Sequence, residues 1–184
     1  SVLICSISAI AFSQEYARPI PLNSVNKSEL EAVVYLKDIK GDYQHYLGTW
    51  QGTAGDKKII FVIDIIPRLK VTWPNGQYYY EDRTFIRYKI TNLNGVELQS
   101  TLNFDSKDAH LSSTGVGLDE EKLIFIYYNE ISTGCTLIGQ IDLIKNNLDP
   151  NQLIYNFRWE EMFTTENCIQ MNPLPTEAFI LTKI

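Results

Sequence analysis

Histidines are the first residues to consider for catalysis or metal binding, and the chain has only two, His45 and His110. His110 ends the run Asp-Ser-Lys-Asp-Ala-His that begins at Asp105, which could place oxygen and nitrogen ligands on one loop. A solvated polar turn explains the same composition. No nucleophile elbow, phosphate-binding loop, His-Glu-x-x-His or Cys-x-x-Cys motif occurs. The sequence therefore predicts no catalytic residues, no metal and no cofactor, and a protein that is not an enzyme.

Carboxylates occur in short runs, at 81–82, 119–121 and 160–161. A glycosidase needs two carboxyl groups that face each other across a cleft of about 5–10 Å. Neighbouring residues on a strand point to opposite faces of a sheet, so none of these runs forms such a pair by itself. Asp64 interrupts an apolar run, and we expect it to face solvent or to pair with a neighbouring Lys or Arg.

Composition excludes several classes of protein. The chain has 184 residues, of which 45% are hydrophobic and 21% charged, as expected for one globular domain rather than a disordered tail or a membrane bundle. Asp and Glu number 22 against 16 Lys and Arg, for a net charge of -6. A nucleic-acid partner is not expected, because binding to the phosphate backbone needs a basic face.

Residues 1–13 have the character of a secretory signal peptide. Val2–Phe12 is apolar or small throughout, and it is too short to span a bilayer of about 30 Å as a helix. Small residues precede Gln14, where we expect cleavage; the basic leader is missing, so we interpret the signal as truncated at its N-terminus. No later stretch predicts a transmembrane helix. The protein is therefore predicted to be exported, to the periplasm or the extracellular space.

The cysteines agree with an oxidising compartment. Cys5 lies within the predicted signal peptide, which leaves Cys135 and Cys168 as an even pair. A disulfide between them would hold the segment that precedes the last predicted strand. Two separate buried thiols are the alternative.

The pattern along the chain changes at Gly41. Residues 14–40 are expected to form an N-terminal arm and a short helix, which starts at a capping Ser28 and runs towards Lys40. From residue 41 to 184 the apolar pattern has a period of two. The predicted strands are Leu47–Ala54, Lys58–Ile66, Tyr78–Thr91, Val96–Phe104, Lys122–Tyr128, Thr136–Lys145, Gln152–Glu160 and Ala178–Lys183.

Short polar turns join most of these strands, among them the strong hairpin signal Asn94-Gly95. Parallel strands would need long crossovers, so the sequence predicts an all-β, antiparallel, up-and-down arrangement. Eight such strands can hide both sheet edges by closing into a barrel. A two-sheet β-sandwich is the alternative.

The first predicted strand contains Gly48-Thr49-Trp50, which resembles the Gly-x-Trp signature of lipocalins and related calycin barrels. Over residues 40–184 the chain also resembles a family of secreted bacterial lipocalin-like proteins with a domain of unknown function. This wider resemblance lies in Tyr46–Gly52, the Tyr-rich third strand and Pro173–Lys183.

The resemblance implies structural roles for three residues. Gly48 would permit close entry of the chain, and Trp50 would close one end of the barrel. A basic residue of the last strand would pack on the Trp face; Lys183 matches it by position, with Arg158 as the other candidate.

Tyrosines dominate the aromatic residues, with 11 Tyr, 8 Phe and 3 Trp. Tyr is a common strand residue, so this content alone does not require a ligand site. If a cavity exists, one alternation class is expected to line it: Tyr80, Ile86, Tyr88, Tyr155, Phe157 and Trp159. The sequence thus predicts either a binding protein for a small apolar or aromatic ligand, or a structural or protein-interaction module with a filled barrel, using loops such as Pro67–Gln77 and Thr164–Pro175. The sequence does not predict an oligomeric state.

Overall fold

A computed structural model describes residues 17–22, 24, 33–105, 111–116, 121–132, 135–163 and 174–184. These residues contain eleven strands and no helix, which confirms the all-β class. The strands are β1 (Arg18–Pro21), β2 (Val34–Lys37), β3 (Gly48–Ala54), β4 (Lys57–Thr72), β5 (Tyr78–Asn92), β6 (Glu97–Ser100), β7 (Leu111–Val116), β8 (Lys122–Ser132), β9 (Cys135–Lys145), β10 (Gln152–Phe163) and β11 (Phe179–Lys183).

The strands form one mixed sheet rather than the two sheets of a sandwich. Its order is β1-β2-β5-β4-β3-β11-β10-β9-β8-β7, and β6 pairs with β5 beside this path. The β1–β2 and β2–β5 pairs are parallel, and the other pairs are antiparallel. An additional pairing joins β5 to β7 through Phe85 opposite Ser112 and Ile86 opposite Leu111.

The alternation of apolar residues places one face of the sheet in a continuous hydrophobic core. On β4 and β5 the core positions are two residues apart, and Phe61 lies directly opposite Tyr88. The same spacing continues on the later strands. The buried members there are Leu123, Phe125, Tyr127, Ile141, Leu143, Leu153, Tyr155 and Phe157.

The short N-terminal helix is not present where the structure describes its predicted C-terminal part, and that prediction was wrong. Residues 34–37 form strand β2, whose Tyr35 lies opposite Tyr80 of β5. Val34 and Tyr35 favour strands, and Leu36 is completely buried in the core. Pairing with β5 and burial of Leu36 thus outweigh the local helix signals. Ser28 lies outside the described residues.

Two further strands were not predicted. Arg18–Pro21, expected as part of the arm, is edge strand β1, and its prolines need no ladder hydrogen bonds on the outer side. Leu111–Val116 forms β7. Conversely, β6 ends at Ser100, four residues before the predicted end at Phe104.

The hairpin predicted at Asn94-Gly95 is confirmed, and the two predicted strands on either side of residues 146–151 also pair with each other. In the β5–β6 turn Gly95 has a φ of 82° and donates its N–H to the carbonyl of Asn92. The β9–β10 hairpin pairs Lys145 with Leu153. A bulge between Trp159 and Glu161 shifts its register, so Met162 lies opposite Leu137.

We predict that Gly52→Ala destabilises the fold. A Cβ at Gly52 would lie 2.6 Å from the carbonyl oxygen of Ile180 and 2.7 Å from the Phe179 ring, so β3 and β11 would have to separate. The expected loss of unfolding free energy is about 1–3 kcal/mol, measured by urea denaturation. Gln51→Ala, at an exposed position on the same strand, is the control. Equal midpoints for the two variants would contradict the close seating of β11 on β3.

Candidate functional site

Trp50 lies at the junction of the first and last strands of the antiparallel run. Its side chain is completely buried, and its Nε1–H donates to the carbonyl of Tyr46 at 2.7 Å. Lys183 pairs with Trp50 across the β3–β11 ladder, and its Nζ lies 5.1 Å from the centroid of the Trp50 ring. This is the cation–π contact that the lipocalin resemblance implies for these two residues.

Gly48 permits this contact. Its φ is 112°, a backbone conformation that residues other than glycine rarely adopt. An added Cβ would lie 3.3 Å from Cε of Lys183. Arg158, the other candidate, instead donates to Asp142 at 3.0 Å.

Asp82 ties the segment before Trp50 to the sheet. This buried carboxylate accepts hydrogen bonds from the Tyr35 hydroxyl at 2.6 Å and from the backbone N–H groups of Asp38 and Arg68. Burial and the hydrogen bond to Asp82 raise the pKa of Tyr35 to about 12. Asp38 in turn accepts from the N–H groups of residues 42 and 43, which start the turn that leads to Trp50. The network has the geometry of a structural support rather than of a reaction centre.

His45 packs against this end of the core. Its ring centroid lies 5.5 Å from that of Tyr46 and 6.4 Å from that of Trp50. The Nε2 atom is buried and forms no hydrogen bond with the described residues. Burial lowers the pKa of His45, and the positive charges of Lys145 and Lys183 lower it further. His45 is therefore neutral at physiological pH.

A second cluster of buried aromatic side chains lies deeper in the core. Phe61 and Tyr155 have ring centroids 5.8 Å apart, and Tyr127 and Phe157 lie 6.1 Å apart. Tyr88 is 1% exposed, and Tyr127 and Tyr155 are completely buried. We call Tyr88, Tyr127 and Tyr155 the tyrosine cluster. These residues come from three different strands, so only the folded sheet brings them together.

The tyrosine cluster is chemically a set of polar groups in apolar surroundings. Burial raises the pKa of Tyr155 well above its ordinary value, and the proximity of Tyr127 and Tyr88 adds to the rise. Burial likewise raises the pKa of Tyr88, again with Tyr127 adding to it, while the Gln99 side chain beside the hydroxyl opposes the change. The hydroxyls of Tyr88 and Tyr155 are therefore neutral, suited to hydrogen bonding rather than to nucleophilic or base chemistry.

Residues 174–179 cross one end of the core; we call them the strap. The Tyr155 hydroxyl donates to the carbonyl of Pro175 at 2.8 Å, and Leu174 is buried. Phe179 stacks on Tyr155 with a centroid distance of 4.5 Å. The strap and the β3–β4 turn line a cleft of about 300 Å³.

The structure brings together four of the six residues predicted to line a cavity: Ile86, Tyr88, Tyr155 and Phe157 all belong to the core. Tyr80 does not; it is half-buried, and the guanidinium carbon of Arg68 lies 5.1 Å from its ring centroid. Trp159 belongs to β10 by its backbone, and its side chain lies outside the description.

Tyr80 differs because β5 changes its surroundings along its length. Beyond the β4 bulge between Ile66 and Leu69, β5 pairs with β2 as well as with β4. In this part of β5 the core residue is Tyr79, whose ring centroid lies 6.0 Å from that of Trp73. Sequence reasoning also missed Tyr127 and Gln99. The alternation of β8 could have identified Tyr127, but a bulge in β6 decides the position of Gln99.

The remaining sequence candidates are dispersed. Asp64 pairs with Arg87 at 2.7 Å, as expected. Cys135 lies in β9 by its backbone, whereas Cys168 and His110 lie outside the described residues, as does the predicted signal peptide. Within the described ranges no group of three or more His, Cys, Asp or Glu side chains could hold a metal ion.

Comparison with known proteins identifies no relative: no protein-family model, no curated protein and no solved structure matches the chain. In the described part of the chain, no helix is long and apolar enough to cross a membrane.

We predict that Trp50→Ala lowers the unfolding free energy by about 3–5 kcal/mol, because it leaves a cavity and removes the ring on which Lys183 packs. Urea denaturation measures the change. Trp73→Ala, at a half-buried position, should cost clearly less. A loss below about 1 kcal/mol for Trp50→Ala would contradict its role at this end of the core.

We also predict that the stability of the folded protein depends on pH through the protonation of His45. Its pKa is lower in the folded protein than the ordinary value of 6.5, so the unfolded chain binds the extra proton more readily. The stability from neutral His45 is complete above pH 6.5 and declines as the pH falls towards the lower folded pKa. Urea midpoints of wild type and His45→Gln should converge as the pH is lowered from about 8 to about 5.5. His110→Gln is the control, and a constant difference between wild type and His45→Gln would contradict the argument.

Proposed function

We propose that this protein is an exported, lipocalin-like binding protein that holds a small, uncharged apolar or aromatic ligand at the tyrosine cluster. The apolar run of residues 1–13 supports export, and the contact between Lys183 and Trp50 supports the lipocalin resemblance. The tyrosine cluster supports the site and the uncharged character of the ligand.

The arrangement that the proposal requires is a closed barrel of β3, β4, β5, β7, β8, β9, β10 and β11. Each neighbouring pair in this circuit is antiparallel, and the two residue pairs between β5 and β7 would complete it. Closure would place the continuous hydrophobic core inside the barrel and leave β1, β2 and β6 outside the circuit.

The Tyr88 hydroxyl is the observation that carries the proposal. Its oxygen is buried and forms no hydrogen bond of good geometry with the described residues, although the Gln99 side chain lies beside it. A buried hydroxyl without a partner costs about 1–3 kcal/mol. A ligand with one uncharged polar group would satisfy this hydroxyl, while its apolar part would contact aromatic rings such as Phe61 and Phe157.

A structural or interaction module with a filled barrel is the second candidate. Complete burial of Tyr127, Tyr155 and Phe61, with ring centroids about 6 Å from their neighbours, is the observation that favours it. In that case Tyr88 would keep its unsatisfied hydroxyl, and no ligand would bind at the core.

The test compares two ligands that differ by one hydroxyl, 1-naphthol and naphthalene, by their ability to displace the uncharged fluorescent probe N-phenyl-1-naphthylamine. We predict that wild type binds both. Tyr88→Phe should weaken 1-naphthol binding by about 2- to 10-fold and leave naphthalene binding unchanged, because only the lost hydrogen bond differs.

Tyr80→Phe is the matched control, since it removes the hydroxyl of a tyrosine outside the core and should change neither affinity. Equal weakening of both ligands by Tyr88→Phe would contradict a hydrogen bond at this position. Absence of binding of all three compounds to wild type would overturn the proposed function and favour the filled module.

A further inference from the structure

A group of tyrosine and basic side chains shares one face of the sheet where β2, β5 and β4 lie side by side. Tyr80 of β5 has Tyr35 of β2 as its direct partner on one side and Lys70 of β4 on the other. Directly opposite residues of neighbouring strands point to the same face, and so do residues two positions apart on one strand. Tyr78 therefore belongs to this face as well. We call Tyr35, Arg68, Lys70, Tyr78 and Tyr80 the aromatic–basic face.

The basic groups of this face lie against the tyrosine rings. The Nζ atom of Lys70 is 3.8 Å from the centroid of the Tyr78 ring. The guanidinium carbon of Arg68 lies 5.1 Å from the centroid of Tyr80 and 5.9 Å from that of Tyr35. Tyr78 and Tyr80 contact each other edge to face, with centroids 6.0 Å apart. The five side chains thus form one continuous layer held by cation–π and ring contacts.

The backbone of Arg68 places its side chain over these rings. Arg68 lies in the β4 bulge and has a φ of 53°, a left-handed conformation that is unfavourable for a residue with a side chain. Its N–H donates to the carboxylate of Asp82 at 3.0 Å, which holds the conformation. Glycine would adopt the same φ without strain. An arginine at this position therefore indicates a role for the side chain itself.

The aromatic–basic face is accessible and carries a local surplus of positive charge. Arg68 and Lys70 are exposed, and the three tyrosines are half-buried. Asp82 lies two residues beyond Tyr80 on β5, but it is buried and accepts hydrogen bonds from the Tyr35 hydroxyl and from two backbone N–H groups. On a chain whose net charge is -6, two exposed basic groups beside tyrosine rings form a distinct surface.

Tyrosine rings beside basic groups match the chemistry of an acidic sugar. The C–H groups of a sugar ring pack on an aromatic face, and a sugar carboxylate pairs with an ammonium or guanidinium group. The tyrosine hydroxyls add donors and acceptors for the sugar hydroxyls. A linear polymer of such sugars can lie along an open sheet face, whereas a small isolated ligand needs a concave pocket to bury most of its surface.

An anionic membrane fits this face less well. Binding in the membrane interface depends on apolar side chains that project into the lipid. Most of the strongly exposed apolar residues lie elsewhere, with Leu93, Val96 and Leu98 at the other end of β5 and Leu148 on the β9–β10 turn. The 15 residues of β5 separate its two ends by about 50 Å. The charge of the aromatic–basic face thus favours a polyanion that stays in water.

We propose that the aromatic–basic face binds an acidic polysaccharide, with sugar carboxylates at Arg68 and Lys70 and a sugar ring against Tyr78. This inference goes beyond the proposed function and does not depend on it. The face lies on the part of β5 beyond the β4 bulge, whereas Tyr88 of the tyrosine cluster lies on the part that pairs with β4 before the bulge.

A tetramer of galacturonic acid and its uncharged methyl ester test the proposal by isothermal titration calorimetry at low ionic strength. We expect wild type to bind the acid about tenfold more tightly than the ester, because only the acid pairs with the basic groups. Lys70→Gln and Arg68→Gly should each weaken binding of the acid by about 3- to 10-fold and change binding of the ester less. Lys58→Gln removes an exposed lysine elsewhere on β4 and is the control, which should leave both affinities unchanged.

Tyr78→Ala should weaken binding of the acid and the ester alike, because the ring contact does not depend on charge. Thermal unfolding establishes that each variant is folded, and Lys70→Gln decides the test if Arg68→Gly disturbs the bulge.

Failure of wild type to bind the acid, or equal affinity for acid and ester, would overturn the proposal. Equal weakening by Lys58→Gln and Lys70→Gln would also overturn it, since it would show only general attraction between charges. Binding to vesicles of phosphatidylglycerol and phosphatidylcholine in equal parts, without binding to the tetramer, would assign the face to a membrane instead. Lys70→Gln should bind N-phenyl-1-naphthylamine as wild type does, so the proposed function and this inference succeed or fail separately.

Discussion

The packing of Lys183 over the buried indole of Trp50 joins the two chain regions on which the sheet depends. Trp50 belongs to the first long strand of the antiparallel run and Lys183 to the last, so their contact seats β11 against β3. Gly48 and Gly52 make room for this seating, because a side chain at either position would meet β11. The close packing of β11 on β3 thus brings together residues that lie more than a hundred positions apart in the sequence.

The hydroxyl groups of the tyrosine cluster, in contrast, reduce the stability of the fold. Hydroxyls inside an apolar core cost free energy that phenylalanine at the same positions would not, because each loses its hydrogen bonds to water. Tyr155 offsets this cost by binding the carbonyl of Pro175, whereas the buried oxygen of Tyr88 has no such bond in the described structure. A buried polar group without a partner in the described structure calls for an explanation other than stability, and the proposed ligand supplies one.

Periodicity was sufficient to predict β3, β4, β5, β8, β9, β10 and β11, because each buries one face of alternating side chains. It also predicted that Ile86, Tyr88, Tyr155 and Phe157 share a face, as they do. It failed at residues 34–37, where the energy comes from parallel pairing with a distant strand rather than from local preference. Secondary-structure propensities describe local preference only, so they do not include the energy of pairing with a distant strand such as β5.

The amino-acid sequence by itself therefore determined the all-β class, the hairpins at Asn94-Gly95 and at Leu148, and most of the core face, since all three depend on neighbouring residues. Only the tertiary structure decided that Tyr79 rather than Tyr80 is buried, that β1 and β2 join the sheet by parallel pairing, and that three tyrosines meet. Long-range pairing controls these features, because the burial of a strand residue depends on which strands and side chains pack beside it and not only on the apolar pattern of its own strand.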